Sequence, residues 1–473
     1  MMVDILIENG IVVTMDEDRS ILDPGSVAIR DKKIEAVGKK ERIASEYGAE
    51  KTIDASQHVV LPGFIDTHIH VPDILSRGIG KERKLYDWLV NFKKPFVAAM
   101  EISDHAVASV LYCHEAIRFG VTTFVENAGG TGSGYDLDVI KTKLAEYDTA
   151  GIRNIYADGF MDKTSGEEIE AMLDNLRKKE PQINHPKDGF ASTNDALDRI
   201  ESLIEEFHGT ADGRQSIWPA PYTAVNVTPE GLRGAYDLAE KYDVMTTTHT
   251  AESELQERSP LSNVEYLRNA SYLGDRTLLG HCVQLDQHDI RLLAETDTKV
   301  AHNIATNLVN GSGIAPVPEM LNSGVTVSLG TDNACLNDTI NPLSDMRLVD
   351  LVHKGSTRNP CAITPETVLE MATTEAAKAI GRKEDLGSIK PGKMADLILL
   401  DLDHSHLTPH TGIVETLVYQ AQGTEIDTVI CNGKVIMEDK TVLEIEHEYP
   451  ELVEDANNRA DSIANRAGLS SMM

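Results

Sequence analysis

Two histidines, His68 and His70, follow an apolar segment that begins at Val59 and contains a Pro62-Gly63 turn. Side chains alternate between the two faces of a β-strand, so residues two apart share a face and can bind one metal ion together. Such a pair can equally be two ordinary polar residues at a strand end. Further metal-type side chains at the ends of other apolar segments favour the metal interpretation.

His249 and Glu252 form the second candidate group. His249 ends the strand-like segment 244–249, and Glu252 follows three residues later. If the chain turns just past the strand, this spacing brings the carboxylate beside a metal-bound water, where a general base is needed. A glutamate in a solvated loop is the alternative explanation of the same spacing.

Three more residues end short apolar segments. His281 is either an imidazole near the metal or a buried, hydrogen-bonded histidine, and we favour the site. Asp332 is compatible with a helix cap, but a buried carboxylate needs a cation or donors to offset its desolvation. His302 stays open between a site role and a structural role. Cys282 and Cys335 more often fill space than bind metal.

Three imidazoles and one carboxylate with an open coordination position describe a hydrolytic centre with a single metal ion. Such an ion lowers the pKa of a bound water to about 7, which makes hydroxide available at neutral pH. The fourth strand segment carries no lysine at its end that, once carbamylated, could bridge a second ion. We therefore expect one ion.

The elements that would position these residues alternate between short apolar strands and helix-length amphipathic segments. Eight such units predict an α/β fold, a (β/α)8 TIM-type barrel, in which reactive residues lie at the carboxyl ends of the strands. The first strand begins at Phe64. The other seven are expected at residues 120–126, 155–160, 216–221, 244–249, 277–281, 299–302 and 325–332.

Both ends of the chain carry short alternating segments typical of β-strands, with Asn9-Gly10 as one tight turn. Neither end has enough strands to bury a sheet by itself. We therefore predict one small β-sandwich-like domain built from residues 1–58 and 390–445, with the barrel at 59–389. Residues 446–473 are expected to form an acidic helical tail whose charges face solvent.

Composition limits the possible partners. The 473 residues include 76 acidic and 44 basic side chains, for a net charge of −32. Such a surface repels nucleic acid and anionic membranes, so we expect neither as a partner. The acidic excess suggests a high-salt cytoplasm, where charges are screened over roughly 3 Å at about 1 M. Greatest activity in dilute buffer would contradict that hypothesis.

The five cysteines are odd in number and show no CxxC spacing, which is typical of reduced thiols in a cytosolic protein. Residues 1–10 lack the features of a signal peptide, and no apolar run approaches the roughly 20 residues of a membrane helix. We expect a cytoplasmic, homo-oligomeric enzyme with a small-molecule substrate. The cysteines, mostly expected in the core, are Cys113, Cys282, Cys335, Cys361 and Cys431.

Five motifs, in this order, resemble the amidohydrolase superfamily in its mononuclear aminohydrolase branch, over nearly the whole chain. They lie at 62–70, 249–252, 280–283, 312–316 and 330–333. Within that branch the chain is most similar to the atrazine chlorohydrolases and melamine deaminases. Segments 86–89, 217–221, 331–338 and 395–402 carry this closer likeness.

The resemblance implies roles for individual residues. Glu252 would shuttle protons, His281 would hold the water or the developing charge, and Asp332 would act in catalysis as well as in metal binding. One divalent ion, Zn(II) or Fe(II), would be bound by His68, His70, His249 and Asp332. The substrate-binding residues would be Trp88, Leu89, Phe160, His302, Asn333 and Leu336, the first three lining an apolar slot for a flat ring.

The chain also departs from these relatives. Asn333 matches the chlorohydrolases, whereas Leu336 matches neither group and removes a polar side chain. His302 instead resembles the broader purine and pyrimidine deaminases. Deaminases of adenosine derivatives are less similar near the ribose site, because Val97 stands where their glutamate is expected.

The predicted reaction is hydrolytic displacement of an amino or alkylamino group from a triazine, pyrimidine or purine-type ring by metal-bound hydroxide. Loss of chloride from a chloro-s-triazine at the same site is the alternative. A non-catalytic, metal-stabilised scaffold is the rival from another class, and the presence of Glu252 argues against it because a scaffold needs no general base.

Overall fold

Strands from the two ends of the chain pair into one sheet of nine. The computed structural model describes residues 1–129, 136–162, 192–253, 261–445 and 449–470. The two ends meet where His58–Pro62 pairs antiparallel with Leu397–Asp401. The strands are Met2–Val13, Ile21–Arg30, Lys33–Lys39, Gly48–Asp54, His58–Pro62, Leu397–Asp401, Ile426–Cys431, Lys434–Glu438 and Thr441–Val442.

The predicted union of the chain ends therefore exists as a sheet. Its inward residues form a cluster that includes Ile7, Val60 and Leu399, each at most 1% exposed. Strand His58–Pro62 belongs to this sheet and continues through Gly63 into the next strand. The segment that ends in the histidine pair is thus anchored to both chain ends.

Eight further strands run parallel, in two sheets of four. Isolated parallel bridges join Ile69 to Asp332 and Thr223 to His249, each across the gap between the two sheets. All eight predicted strand segments are strands in the structure, in the predicted order. They are Phe64–Ile69, Val121–Ala128, Arg153–Phe160, Gln215–Pro221, Thr246–Thr250, Thr277–His281, Lys299–His302 and Val327–Leu329.

Helices follow the parallel strands, and several begin at side-chain caps. The Thr228 hydroxyl accepts from the Gly231 N–H, and the Asp286 carboxylate accepts from the Asp289 N–H. The α-helices are Lys40–Glu46, Leu85–Trp88, Lys94–Ala98, Ile102–Arg118, Leu137–Thr149, Thr193–Phe207, Thr210–Gly213, Pro229–Tyr242, Asn263–Asn269, Gln287–Glu295, Ile304–Val309, Val317–Asn322, Ala334–Asn337, Pro342–Thr357, Pro365–Met371, Thr374–Ala379, Ile413–Glu415 and Tyr449–Arg466. Leu89–Lys93 and Thr416–Gln420 are π-helical, and Val71–Ser76 and Ser405–Leu407 are 3-10 helices.

None of the described helices alone has the length and apolar composition to cross a membrane. Segments 91–98 and 102–118 have that length and composition only when they are taken together, and the two are bent by 112° relative to each other.

The C-terminal helix Tyr449–Arg466 packs on helix Ile102–Arg118. It buries Leu452 and Ile463, and its Arg459 forms an ion pair with buried Asp104 at 2.9 Å. The tail is therefore a helix that docks along one side of the fold through its apolar residues. Residues 446–448 and 471–473 of the predicted tail lie outside the described residues.

Candidate metal centre

Five metal-type side chains come together where the parallel strands end. Nε2 of His70 lies 3.1 Å from Nε2 of His249 and 3.6 Å from Oδ1 of Asp332. Ligand atoms of His68, His70 and His249 all lie within 4.8 Å of one another, and so do those of His68, His281 and Asp332. The structure thus brings together four of the strand ends singled out in the sequence.

The electrostatics of this cluster fit a cation. Burial lowers the pKa of His249 to about 3 and raises the pKa of Asp332 to about 7. Nε2 of His68, Nε2 of His281 and Oδ2 of Asp332 are buried and have no hydrogen-bond partner among the described residues. Neutral imidazoles and a carboxylate are the donors that divalent zinc prefers, and a bound cation offsets the burial of Asp332. The residues present therefore fit a divalent metal ion.

Neighbouring groups orient three of the imidazoles. The side-chain amide of Asn127 lies 2.9 Å from Nδ1 of His68, and its backbone carbonyl accepts from Nδ1 of His70 at 2.7 Å. The Tyr222 carbonyl accepts from Nδ1 of His249 at 2.5 Å. With Nδ1 engaged in this way, Nε2 is the ring nitrogen left to bind a metal. Sequence reasoning missed Asn127, although it lies near the end of the second parallel strand.

The backbone turns sharply at the ends of these strands. Ala251 has a φ of 50°, and this turn separates His249 from Glu252, as their spacing predicts. Glu252 is 6% exposed, and its Oε2 lies 3.7 Å from Nε2 of His281. His281 and Asp332 also lie in the left-handed region, at φ 71° and 59°. Such strained conformations persist only where the surrounding structure holds them.

The first and last parallel strands meet through Asp66. Its carboxylate accepts from the Thr331 N–H at 3.0 Å and from the Thr331 hydroxyl at 2.5 Å. Burial raises the pKa of Asp66 to about 6. Gly280 lies against the ring of His68, where an added Cβ would be 3.0 Å from Cε1. The contacts of Asp66 with Thr331 hold the strand of His68 in place, and Gly280 leaves room for the His68 ring.

Lys93 is a second residue that sequence reasoning missed. It ends the π-helical turn Leu89–Lys93, and its Nζ lies 2.9 Å from Oδ2 of Asp73 and donates to Oδ1 of Asn333 at 3.0 Å. Nδ2 of Asn333 in turn donates to Oδ1 of Asp332 at 2.8 Å. Burial opposes the charge of Lys93, but Asp73, Tyr222 and Asp332 together outweigh burial and raise the pKa of Lys93 above its ordinary value.

The predicted pocket residues divide into two groups. Trp88 is buried, with its ring centroid 5.3 Å from Nζ of Lys93, so Lys93 joins it to Asn333. Phe160 and Leu336 are buried and Leu89 is half-buried, and a role in substrate binding stays a prediction for all of these residues, Trp88 and Asn333 included.

His302 lies apart from the cluster. Its Nε2 is 3.5 Å from Nε2 of His353, on helix Pro342–Thr357. His302 belongs to neither group of ligand atoms among the described residues. Because successive side chains of a strand face opposite sides, a strand-end position alone does not direct a side chain to the centre. A substrate-binding role for His302 also stays a prediction.

Comparison with known proteins agrees with this geometry. The family model described as the Amidohydrolase family matches residues 59–436. An S-triazine hydrolase of Gordonia rubripertincta is 33% identical over 99% of this chain and 98% of its own length. A 5-methylthioadenosine/S-adenosylhomocysteine deaminase of Syntrophobacter fumaroxidans is 33% identical over 93% of this chain and 94% of its own length.

Solved structures show the same fold. An adenosine deaminase from Xanthomonas campestris with bound zinc has a TM-score of 0.86 at 24% identity, covering 98% of this chain and 99% of that one. An atrazine chlorohydrolase from Arthrobacter aurescens in complex with zinc has a TM-score of 0.84 at 24% identity, covering 96% and 100%. The predicted family and the predicted class, a hydrolase of C–N bonds other than peptide bonds, are confirmed. The chain belongs to the amidohydrolase family.

Proposed function

We propose that this enzyme hydrolyses a C–N bond at an sp² ring carbon of a triazine, pyrimidine or purine-type heterocycle, releasing ammonia or an alkylamine. The observation that carries the proposal is the position of Glu252, whose carboxylate lies 3.7 Å from His281 at the edge of the histidine cluster. A metal-stabilised scaffold has no use for a buried carboxylate there. The deaminases and the triazine hydrolase among the relatives support the choice of substrate.

One zinc ion would be held by His68, His70, His249 and Asp332. When bound, zinc lowers the pKa of a coordinated water to about 7. Each of these ligands lies at the end of a parallel strand, on elements whose backbone is fixed by sheet hydrogen bonds. Rigid placement of this kind lets a site keep its geometry through the reaction.

The side chains around the ion would move the protons. Glu252 accepts a proton from the attacking water and passes it to a ring nitrogen. It then takes the proton of the new C–OH group and delivers it to the departing amine as the C–N bond breaks. His281, whose Nδ1 lies 3.0 Å from Oδ1 of Asn307, holds its Nε2 toward the charge that develops on the attacking oxygen. Asp332, whose Oδ1 accepts from Nδ2 of Asn333, helps His281 to hold the tetrahedral intermediate. An amine departs readily only after protonation, so Glu252 both accepts a proton from water and supplies a proton to the leaving group in this proposal.

The pocket for the ring would be lined by six residues, of which Trp88 and Asn333 contact Lys93. The others are Leu89, Phe160, His302 and Leu336.

We further propose that the parallel strands close into a (β/α)8 barrel over residues 59–389, beside a β domain of residues 1–58 and 390–445. The bridges Ile69 to Asp332 and Thr223 to His249 support this closure. We place the enzyme in the cytoplasm as a homo-oligomer without nucleic-acid or membrane partners.

Chloride release by the same residues is less favoured, because the similar proteins include deaminases as well as a triazine hydrolase. A screen of the zinc-loaded enzyme against aminopurines, aminopyrimidines, aminotriazines and chlorotriazines tests the proposal. We expect ammonia or amine release that is lost when zinc is removed and regained when zinc is restored. Release of chloride alone, or no reaction with any of these rings, would overturn it.

A further inference from the structure

The protein does not pair all of the N–H donors of Lys93 with an oxygen or nitrogen acceptor. It is 9% exposed, and an ammonium group carries three N–H donors. Asp73 and Asn333 lie within hydrogen-bonding reach of Nζ, at 2.9 and 3.0 Å. No third oxygen or nitrogen acceptor of the described residues is hydrogen-bonded to Nζ, and its one further contact is the ring of Trp88, whose centroid lies 5.3 Å away. A buried donor that is left unpaired weakens the folded state, so a ligand that pairs it gains affinity.

Two neighbours of Lys93 were predicted from the sequence to bind substrate. The centroid of the Trp88 ring lies 5.3 Å from Nζ, and Oδ1 of Asn333, whose side chain binds Asp332, lies 3.0 Å from it. Neutralising Asp73 would by itself explain a buried lysine. It does not explain why the same ammonium also contacts Asn333 and the ring of Trp88, two residues predicted from the sequence to line the substrate slot.

We propose that Lys93 is a specificity-determining residue whose third N–H binds an oxygen on the substrate ring. The enzyme then prefers aminoheterocycles that carry an oxo or hydroxyl group over otherwise identical rings that lack one. This inference rests on the proposed C–N hydrolysis. An ammonium can only donate hydrogen bonds, so a ring edge that offers only N–H groups cannot form a hydrogen bond with Lys93. An oxo oxygen accepts a charge-assisted bond, the stronger kind.

Matched substrates test the inference. Cytosine and 4-aminopyrimidine differ in the oxygen at C2, and both lose ammonia from C4. With zinc-loaded enzyme we expect kcat/KM to be higher for cytosine, mainly through KM. Lys93→Met should reduce that preference by about 10- to 100-fold, the range for a hydrogen bond to a charged group. Metal content should stay the same.

Two variants separate specificity from structure. Lys93→Arg keeps the charge and should keep part of the preference, because guanidinium also donates. Lys94→Met is the matched control, since Lys94 is the neighbouring buried lysine and its Nζ lies 5.7 Å from the centroid of the Tyr222 ring instead. The cytosine preference should survive in Lys94→Met. If Lys93→Met lowers turnover of both substrates equally, Lys93 merely supports Asp332 through Asn333 and the inference is wrong.

Binding to the wild-type enzyme distinguishes the two possible failures. Pyrimidine and 2-pyrimidinone lack the leaving amine, so calorimetry with zinc-loaded protein reports the ring oxygen without any turnover. Tighter binding of 2-pyrimidinone, with a smaller difference in Lys93→Arg than in wild type, supports Lys93 as the recognition residue even if Lys93→Met does not fold. Equal binding overturns the inference. Absence of amine release from every ring in the screen overturns the proposed function instead.

Discussion

Gly330 leaves the space that the side chain of His68 occupies, because a Cβ added to Gly330 would lie 2.6 Å from the Cβ of His68 and 2.5 Å from Oδ1 of Asn303. Both neighbours are buried, so neither can move aside freely. We expect Gly330→Ala to displace His68, lower metal content and reduce the free energy of unfolding by about 1–3 kcal/mol. Metal analysis and denaturant unfolding measure the two effects.

Gly355 provides the matched control for that substitution. It lies in helix Pro342–Thr357, and a Cβ there would meet nothing within 4 Å. Gly355→Ala should keep the metal and stabilise the helix by roughly 0.5–1 kcal/mol. Full metal content in Gly330→Ala would show that His68 does not need this space.

His249→Ala should release the metal ion, because three remaining protein ligands hold it less well against solvent and chelators. His302→Ala should keep the ion, since His302 packs on His353 instead. The second variant should lose stability, through the cavity left in a buried position. Metal content after dialysis against a chelator decides both. Metal loss from His302→Ala, with retention in His249→Ala, would reverse the assignment.

Glu252→Gln should leave the protein folded and metal-loaded while turnover collapses. Glutamine keeps the size of the side chain but cannot accept a proton. General acid–base catalysis contributes roughly 100- to 10,000-fold, and the loss should reach the upper end because one residue serves both water and leaving group.

The same variant separates leaving groups. An amine substrate should be nearly inert, whereas a chloride substrate should keep some reaction, because chloride departs without protonation. Steady-state rates with both substrates, on protein of known metal content, give the comparison. Near wild-type amine release would show that Glu252 is an ordinary loop carboxylate and not the proton shuttle.

Lys143→Met should be strongly destabilising. Lys143 contacts Glu126, which is fully buried and also accepts from the Tyr147 hydroxyl at 2.7 Å. Removing one partner leaves an uncompensated buried charge, which costs about 3–5 kcal/mol. Arg233→Ala breaks an exposed pair with Asp237 and should change stability little, because solvent screens such a pair. Urea unfolding of both variants makes the comparison, and equal losses would contradict it.

His58 should make stability depend on pH. Burial lowers the pKa of His58, but its hydrogen bond to Asp427 at 2.6 Å and the nearby acids raise it more, so the net pKa lies above 6.5. The contribution is therefore complete below the unfolded pKa of 6.5 and is lost as pH rises through the folded value.

The expected result is a wild-type advantage over His58→Gln that is largest at low pH, roughly 1.5 kcal/mol, and shrinks toward alkaline pH. Thermal or urea unfolding across this range measures it. His288→Gln, at an exposed histidine 3.7 Å from Glu265, should show little difference at any pH. An advantage that grows with pH would show that His58 is neutral in the folded state.

The strand ends could be predicted from the sequence because alternation and apolar length are local properties. His68, His249 and Asp332 therefore lie where expected. The direction of a strand-end side chain is not local: His281 turns at φ 71°, while His302 faces helix Pro342–Thr357. That difference depends on backbone torsion and on packing partners far away in the chain.

Lys93 and Asn127 escaped prediction for a related reason. Lys93 ends a π-helical turn, whose spacing follows neither the helical nor the strand period. Asn127 contacts both His68 and His70, but nothing in its sequence neighbourhood distinguishes it from other polar strand residues. Residues that orient a ligand are defined by distances across the fold, and these emerge only with the structure.

The pairing of His58–Pro62 with Leu397–Asp401 also orders events during protein synthesis. The strand that leads to the histidine pair leaves the ribosome before its sheet partner, which follows more than three hundred residues later. Until then its apolar edge is open to other chains, a hazard for long-range β-pairing. A nascent chain that stalls before Leu397 would carry all of the proposed metal-binding and catalytic residues yet expose this edge, and we expect it to be a substrate for chaperones rather than a partly active enzyme.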